Sequence, residues 1–220
     1  MSDKYPTIAI LGGTGKEGSS LALRWAGVGY KVIIGSRQVE KARATAADLN
    51  SHLGIQSVIG MINSEAVKLA DICILTVVQE AHQQALESLK DVFDGKILVD
   101  ATARVDFRNP RPPDPPCAAR YAQNILGPTV RMVAAFQNVP AKMLRKGIGQ
   151  SIDADVLVCS DDIPAAQQVI LLAQAAGMRG YYAGCLDNAI VCEGITSILI
   201  SLNKYYSIKT ASINISGILG

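Results

Sequence analysis

Runs of branched apolar residues alternate with helix-period stretches along most of this chain, and that alternation leaves few folds open. The runs fall at residues 7–11, 31–34, 55–59, 72–78, 96–99, 129–136 and 156–159, most of them without polar alternation. Such runs read as strands buried on both faces. Residues 16–27, 39–53, 64–69, 80–90 and 164–176 carry helical periodicity between them. Strand, helix, strand, helix predicts an α/β fold, a doubly wound parallel sheet covered on both sides by right-handed crossovers. With 220 residues, 49% apolar and 18% charged, the chain can bury such a sheet in one core.

Two segments depart from the pattern. Residues 104–128 hold six prolines and are too long for an ordinary connection, which predicts an irregular excursion and then a short helix from about Ala118. Residues 186–203 form an apolar helical stretch that ends at Lys204-Tyr205-Tyr206, followed by the strand-like residues 211–218. A helix so apolar must bury itself against its own sheet or against a partner subunit, and a partner is the expectation. The expected division is a main α/β unit at 1–140 and a small C-terminal extension at 141–220.

Charge and cysteine content narrow the partners. A net charge of +2 argues against nucleic acid and acidic membrane surfaces. No apolar stretch reaches the length of a membrane span, and the N-terminus lacks the basic and apolar regions of a secretory signal. Five cysteines without a CxxC pair suit a reducing cytoplasm, and Cys73 and Cys159 read as small buried hydrophobes.

The first strand runs directly into Gly12-Gly13-Thr14-Gly15-Lys16-Glu17-Gly18, where Gly13, Gly15 and Gly18 fit G-x-G-x-x-G at the mouth of a helix. In this context the glycines allow a sharp turn, a close approach of pyrophosphate and tight helix packing. Free N–H groups and the helix dipole then face the phosphates, the Rossmann arrangement for a dinucleotide. No Gly-Lys-Ser/Thr follows, so a triphosphate P-loop does not fit.

At the end of the second strand, where NAD enzymes place a carboxylate for the ribose hydroxyls, this chain has Ser36 and Arg37. A hydroxyl and a guanidinium can hold a 2′-phosphate, and Lys41 adds a cation one turn on. NADP is therefore expected over NAD. Later strand ends should add backbone contacts, at Val77 and Val78 and at Ala101.

No acid–base constellation is visible. His52 reads as helix-end surface, while His82 lies near the expected cofactor edge; neither has a Ser, Cys or carboxylate partner close in sequence. Asp161-Asp162 before Ile163-Pro164 reads as a helix N-cap rather than a metal pair. Direct hydride transfer between two flat rings needs stacking and exclusion of water, and not necessarily a protonating side chain.

The stretches IAILGGTGKEG, VIIGSR with Lys41, VAAFQNVPA (133–141), DVLVCSDD and AGCLDNAIVCEGITSILISLNKYY together resemble the NADPH-dependent reductases of the deazaflavin coenzyme F420. The resemblance spans nearly the whole chain. It implies a homodimeric oxidoreductase that passes hydride between NADP(H) and F420, in which residues 1–140 carry NADP and the 141–220 part completes the substrate pocket and supplies the dimer interface. By that resemblance Thr14, Gly15, Lys16 and Glu17 line the pyrophosphate, and Ser36, Arg37 and Lys41 hold the 2′-phosphate. The turn with Phe136, Gln137, Asn138 and Pro140 faces the deazaflavin; some members carry His at the place of Gln137. Arg108 and Arg111 either meet the coenzyme's anionic tail or belong to a solvated loop. Two other readings stay open, an NADPH-dependent reductase of a flavin, imine or ferric complex, and a non-catalytic NADP(H) sensor.

Overall fold

The computed structural model describes residues 5–145 and 147–218. Its main sheet comprises β1 (Ile8–Leu11), β2 (Val32–Ser36), β3 (Val58–Ile62), β4 (Ile72–Leu75), β5 (Ile97–Asp100) and β6 (Arg131–Ala134). They lie in the order β3-β2-β1-β4-β5-β6, all parallel, which is the doubly wound order with its switch point between β1 and β4. The helices that follow these strands are α1 (Lys16–Gly27), α2 (Val39–Leu53), α3 (Asn63–Leu69), α4 (Gln79–Leu89) and α5 (Ala118–Leu126). After a short α6 (Ala141–Leu144) come β7 (Asp155–Val158), α7 (Ile163–Ala175), β8 (Arg179–Tyr182) and α8 (Ala189–Tyr205).

Side chains alternate across each strand, and here both faces are apolar. Ile8 and Ile10 of β1 pack with Leu21 and Trp25 of α1, Ala42 of α2 and Val169 of α7. Ala9 and Leu11 pack on the opposite face with Val67 of α3, Leu86 of α4 and Ala122 of α5. The absence of polar alternation thus reflects a sheet buried between two helical layers. Trp25 is fully buried and its indole N–H donates to the Leu172 carbonyl at 2.8 Å, which ties α1 to α7.

Helices α1 and α2 span the expected residues, while β3 runs three residues later than the expected 55–59. Asn50 sets that register. Its side chain donates to the Val58 carbonyl at 2.8 Å and accepts from the Val58 N–H at 3.0 Å, after Gly54 has closed α2 in the left-handed conformation. The expected cap of α7 is present: Asp162 accepts from the Ala165 N–H at 2.9 Å and also pairs with Arg131.

Strands β7 and β8 form a separate parallel pair. The chain just beyond β7 joins the main sheet through an antiparallel bridge, in which Ala134 and Cys159 exchange N–H···O bonds of 2.9 and 3.0 Å. Residues 211–218 contain no strand among those described; the segment instead lies beside the start of β7, where Asp155 N–H donates to the Ile213 carbonyl at 3.0 Å. The tail helix α8 buries Cys192, Glu193, Ser197 and Leu199 within its own chain, and leaves Val191, Ile198, Tyr205 and Tyr206 exposed. No helix among the described residues is long and apolar enough to cross a membrane.

Candidate functional site

The turn after β1 is shaped by backbone contacts that exclude side chains. The left-handed residue is Gly12 (φ 76°), one position ahead of the motif's first glycine. A Cβ on Gly13 would sit 2.7 Å from the Ile10 carbonyl oxygen, and one on Gly18 would sit 2.5 Å from Thr76 Oγ1 and 2.8 Å from Gly13 Cα. Both glycines therefore let α1 close onto the strand ends. At Gly15 a Cβ would meet only the Gly12 carbonyl, at 3.3 Å, so its outer side is open. Gly15 is also the N-cap of α1 and offers no side-chain cap, which leaves the first-turn N–H groups directed at whatever binds there.

Ser36 closes β2 almost buried, and its hydroxyl accepts from the Gln38 N–H at 3.1 Å. Arg37 and Lys41 are exposed beside it. Arg37 reaches the Gln84 amide oxygen only at the limiting distance of 3.5 Å, so its guanidinium is not committed to a carboxylate in any described pairing. The edge of the sheet beyond β2 is accordingly a cationic ledge.

On the other side of the switch point a cleft of about 990 Å³ opens over the carboxyl ends of β4, β5 and β6. Of the residues expected from sequence, Gly15, Lys16, Glu17, Val77, Val78, Ala101, Gln137, Asn138 and Pro140 line it. Gly13 and Gly18 lie behind the turn, Thr14 is exposed on it, and Ser36, Arg37 and Lys41 stand on the ledge. The Phe136 side chain points elsewhere. It is fully buried and meets Trp25 edge-on with ring centroids 5.8 Å apart, while its positive φ of 75° bends the chain into the turn. Such a conformation in a bulky residue carries strain of about 1–3 kcal/mol, held by its packing. Phe136 thus shapes the loop through its backbone rather than facing the cleft.

The floor of the cleft is organised by Asp100, which is wholly buried. One carboxylate oxygen accepts from the Thr102 N–H at 2.9 Å, and the other lies 2.6 Å from His82 Nε2. His82 is therefore occupied by a buried carboxylate eighteen residues away, and not exposed at a cofactor edge. The Asp100 carbonyl accepts from Gln137 Nε2 at 3.0 Å, and the Asp155 carbonyl accepts from Asn138 Nδ2 at 2.6 Å. These bonds fix both amides with their oxygens unused. Gln137 Oε1, Asn138 Oδ1 and Thr102 Oγ1 are buried and have no protein partner. Buried polar atoms left open cost stability, and their clustering beside a cleft marks a site prepared for hydrogen-bonding groups.

Sequence reasoning expected a pocket-completing part within 141–220 but named none of the residues of the far wall. Thr196, Leu199, Ile200 and Asn203 of α8 line the cleft from within the same chain. The Thr196 hydroxyl donates to the Gln137 carbonyl at 2.9 Å, fastening α8 to the turn. Glu193, also wholly buried, accepts from the N–H groups of Arg104 and Ala118 and pairs with the Arg104 guanidinium at 3.0 Å. It thereby pins both ends of the proline-rich excursion, whose residues Val105 to Arg108 form the adjoining wall. The helical apolar pattern announced that α8 is buried on one side, but not which surface it covers. Arg108 lies on the cleft, whereas Arg111 is exposed away from its lining. No cluster able to hold a metal ion occurs among the described residues.

A family model described as "NADP oxidoreductase coenzyme F420-dependent" matches residues 7–104. The F420-dependent NADP reductase of Methanocaldococcus jannaschii is 40% identical over 223 residues, covering 96% of this chain and 98% of that protein. Its counterpart from Methanothermobacter thermautotrophicus is 36% identical, covering 96% of this chain and 95% of that one. Among solved structures, a putative F420-dependent NADP reductase from Arthrobacter superposes with a TM-score of 0.79 over 97% of this chain and all of its own, at 23% identity, which supports the fold. By near-complete coverage at these identities, the chain belongs to the family of F420-dependent NADP reductases.

Proposed function

We propose that this chain is an NADP-dependent oxidoreductase that transfers hydride directly between NADP(H) and the deazaflavin coenzyme F420. The observation that carries the reading is one continuous cleft bordered by an uncapped helix N-terminus and floored by unpartnered amides. When both coenzymes are bound, hydride would pass between nicotinamide C4 and C5 of the deazaflavin.

The chain's own residues do the rest. First-turn N–H groups of α1, with Gly13, Thr14, Gly15, Lys16, Glu17 and Gly18 forming the turn, hold the diphosphate. Ser36, Arg37 and Lys41 hold the 2′-phosphate, and the strand-end segments at Val77, Val78 and Ala101 flank the nicotinamide half. Gln137 and Asn138, with Pro140 beside them, orient the second ring through oxygens that already face no protein partner. Val105 and Leu199 on the adjoining walls keep the space around the rings apolar and exclude water. No side chain needs to serve as acid or base for the hydride step itself.

We further read residues 1–140 as the NADP-binding unit and 141–220 as the part that completes the acceptor pocket. The exposed face of α8, with Val191, Ile198 and Tyr205, is the surface offered to a second copy in a homodimer. Residence in the cytoplasm belongs to the same reading.

Mixing purified protein with NADPH and F420, and separately with FMN, while following loss of nicotinamide absorbance tests the assignment. Turnover with F420 well above that with FMN is expected. Equal turnover with both would point to a general flavin reductase, and tight NADPH binding without oxidation to a sensor.

A further inference from the structure

His82 has no part in the functional reading above, yet it joins the elements which that reading uses. Leu75 and Asp100 are paired across β4 and β5, so the chain leaves the sheet from two neighbouring strand ends. From Leu75 it runs through Thr76, Val77 and Val78 into α4, and from Asp100 it runs through Ala101 to Thr102. His82, about one turn into α4, comes back to Asp100 with Nε2 2.6 Å from a carboxylate oxygen. The two residues are 4% and 0% exposed, so water does not compete for the bond.

Asp100 turns its remaining polar atoms to the other side. Its second carboxylate oxygen accepts from the Thr102 N–H at 2.9 Å, and its carbonyl accepts from Gln137 Nε2 at 3.0 Å. One pair of side chains therefore connects three borders of the cleft: the start of α4, the end of β5 and the turn after β6. On the F420 reading, on which this inference rests, Val77, Val78 and Ala101 flank the nicotinamide half and Gln137 orients the deazaflavin. We infer that His82 is a positioning residue for hydride transfer, which through Asp100 holds the wall beside the nicotinamide in register with the amide that faces the second ring. It contacts neither coenzyme itself.

The start of α4 needs such a tie. Val78 is its N-cap, is 67% exposed and makes no side-chain cap bond. Further along, Leu86 and Leu89 bury themselves against the sheet, which holds the helix down without fixing its direction. A hydrogen bond to a carboxylate fixes both distance and direction. Hydride transfer is sensitive to both, since reacting atoms must come within about 3–3.5 Å and a misplacement of about 1 Å can slow a reaction about a hundredfold.

The test compares the full-length wild type with His82→Leu, His82→Asn and His82→Gln, below the melting temperature of each. Hydride transfer from NADPH to F420 is followed in a single turnover with both coenzymes saturating, and a primary isotope effect with NADPH deuterated at C4 confirms the step being read. His82→Leu should be slower by about 10- to 100-fold, with KM for NADPH within about threefold. His82→Asn, whose shorter amide falls short of Asp100, should be slowed similarly and serves where His82→Leu does not fold. His82→Gln keeps an N–H donor at about the reach of Nε2 and should recover the rate to within about threefold. Lower melting temperatures with the single-turnover rate unchanged, or an equal loss in His82→Gln, would overturn the inference while leaving the F420 assignment standing. Failure of the wild type to pass hydride to F420 would overturn both.

Discussion

Arg37→Ala should weaken NADPH about a hundredfold and leave NADH affinity within about twofold, because charge-assisted hydrogen bonds to a phosphate contribute about 1.5–3 kcal/mol. The guanidinium stands exposed at the end of β2, where the nucleotide's ribose is expected, and in the described residues it is held only by a marginal 3.5 Å contact to Gln84. Little folded structure depends on it, so the loss should appear as affinity rather than as a lower melting temperature. Ser36 and Lys41 remain in the variant, which limits the effect to one arm of the clamp. Titration with both nucleotides checks this. Equal weakening of NADPH and NADH would show that Arg37 does not read the extra phosphate.

Glu193→Ala should lower stability by about 3 kcal/mol, which for a chain of this size is a melting temperature lower by roughly 6–12 °C. Its carboxylate is wholly buried and receives three hydrogen bonds, from the N–H groups of Arg104 and Ala118 and from the Arg104 side chain. Alanine would leave the buried Ala118 N–H without its acceptor and a partly buried guanidinium without its counter-ion. Burial holds the Glu193 carboxyl above the ordinary carboxylate range despite Arg104. The pair therefore adds little net energy compared with an apolar replacement of the whole arrangement, but removing one member alone is costly. Its use is positional, since it ties both ends of the proline-rich excursion to α8. The variant should accordingly raise KM for F420 several-fold more than KM for NADPH, whose diphosphate and 2′-phosphate contacts lie on other elements. A matched rise in both constants would argue that Glu193 serves general stability only.

How much of this was legible in the sequence varies with the range of the interaction. The helices at 16–27 and 39–53 follow from local periodicity and from the glycine turn, and the structure ends them at those residues. The parallel sheet follows from continuous apolar runs, since every strand of its centre is covered on both faces. Strand β8 escaped notice because Arg179-Gly180-Tyr181-Tyr182 is polar at one end and only half-buried, with no apolar run to announce it. The Asp100–His82 pair escaped because it joins β5 to α4, and nothing in either local sequence specifies a partner on a neighbouring element. The same holds for α8. Its apolar face was visible, but Thr196 and Leu199 closing their own chain's cleft depends on where the chain returns after β8. Gln137 and Asn138 were expected to face a ligand; the structure adds the reason their oxygens are available, namely that each amide nitrogen is committed to a backbone carbonyl.

The central claim is that both rings meet in one cleft and hydride passes between them without an intermediary. The direct measurement is reduction of F420 by NADPH deuterated in turn at each of the two C4 positions, followed by mass analysis of the reduced deazaflavin. One of the two labels should arrive at C5 undiluted by solvent hydrogen. Reduction of F420 in which neither label reaches C5, or in which C5 takes its hydrogen from the solvent, would contradict the account.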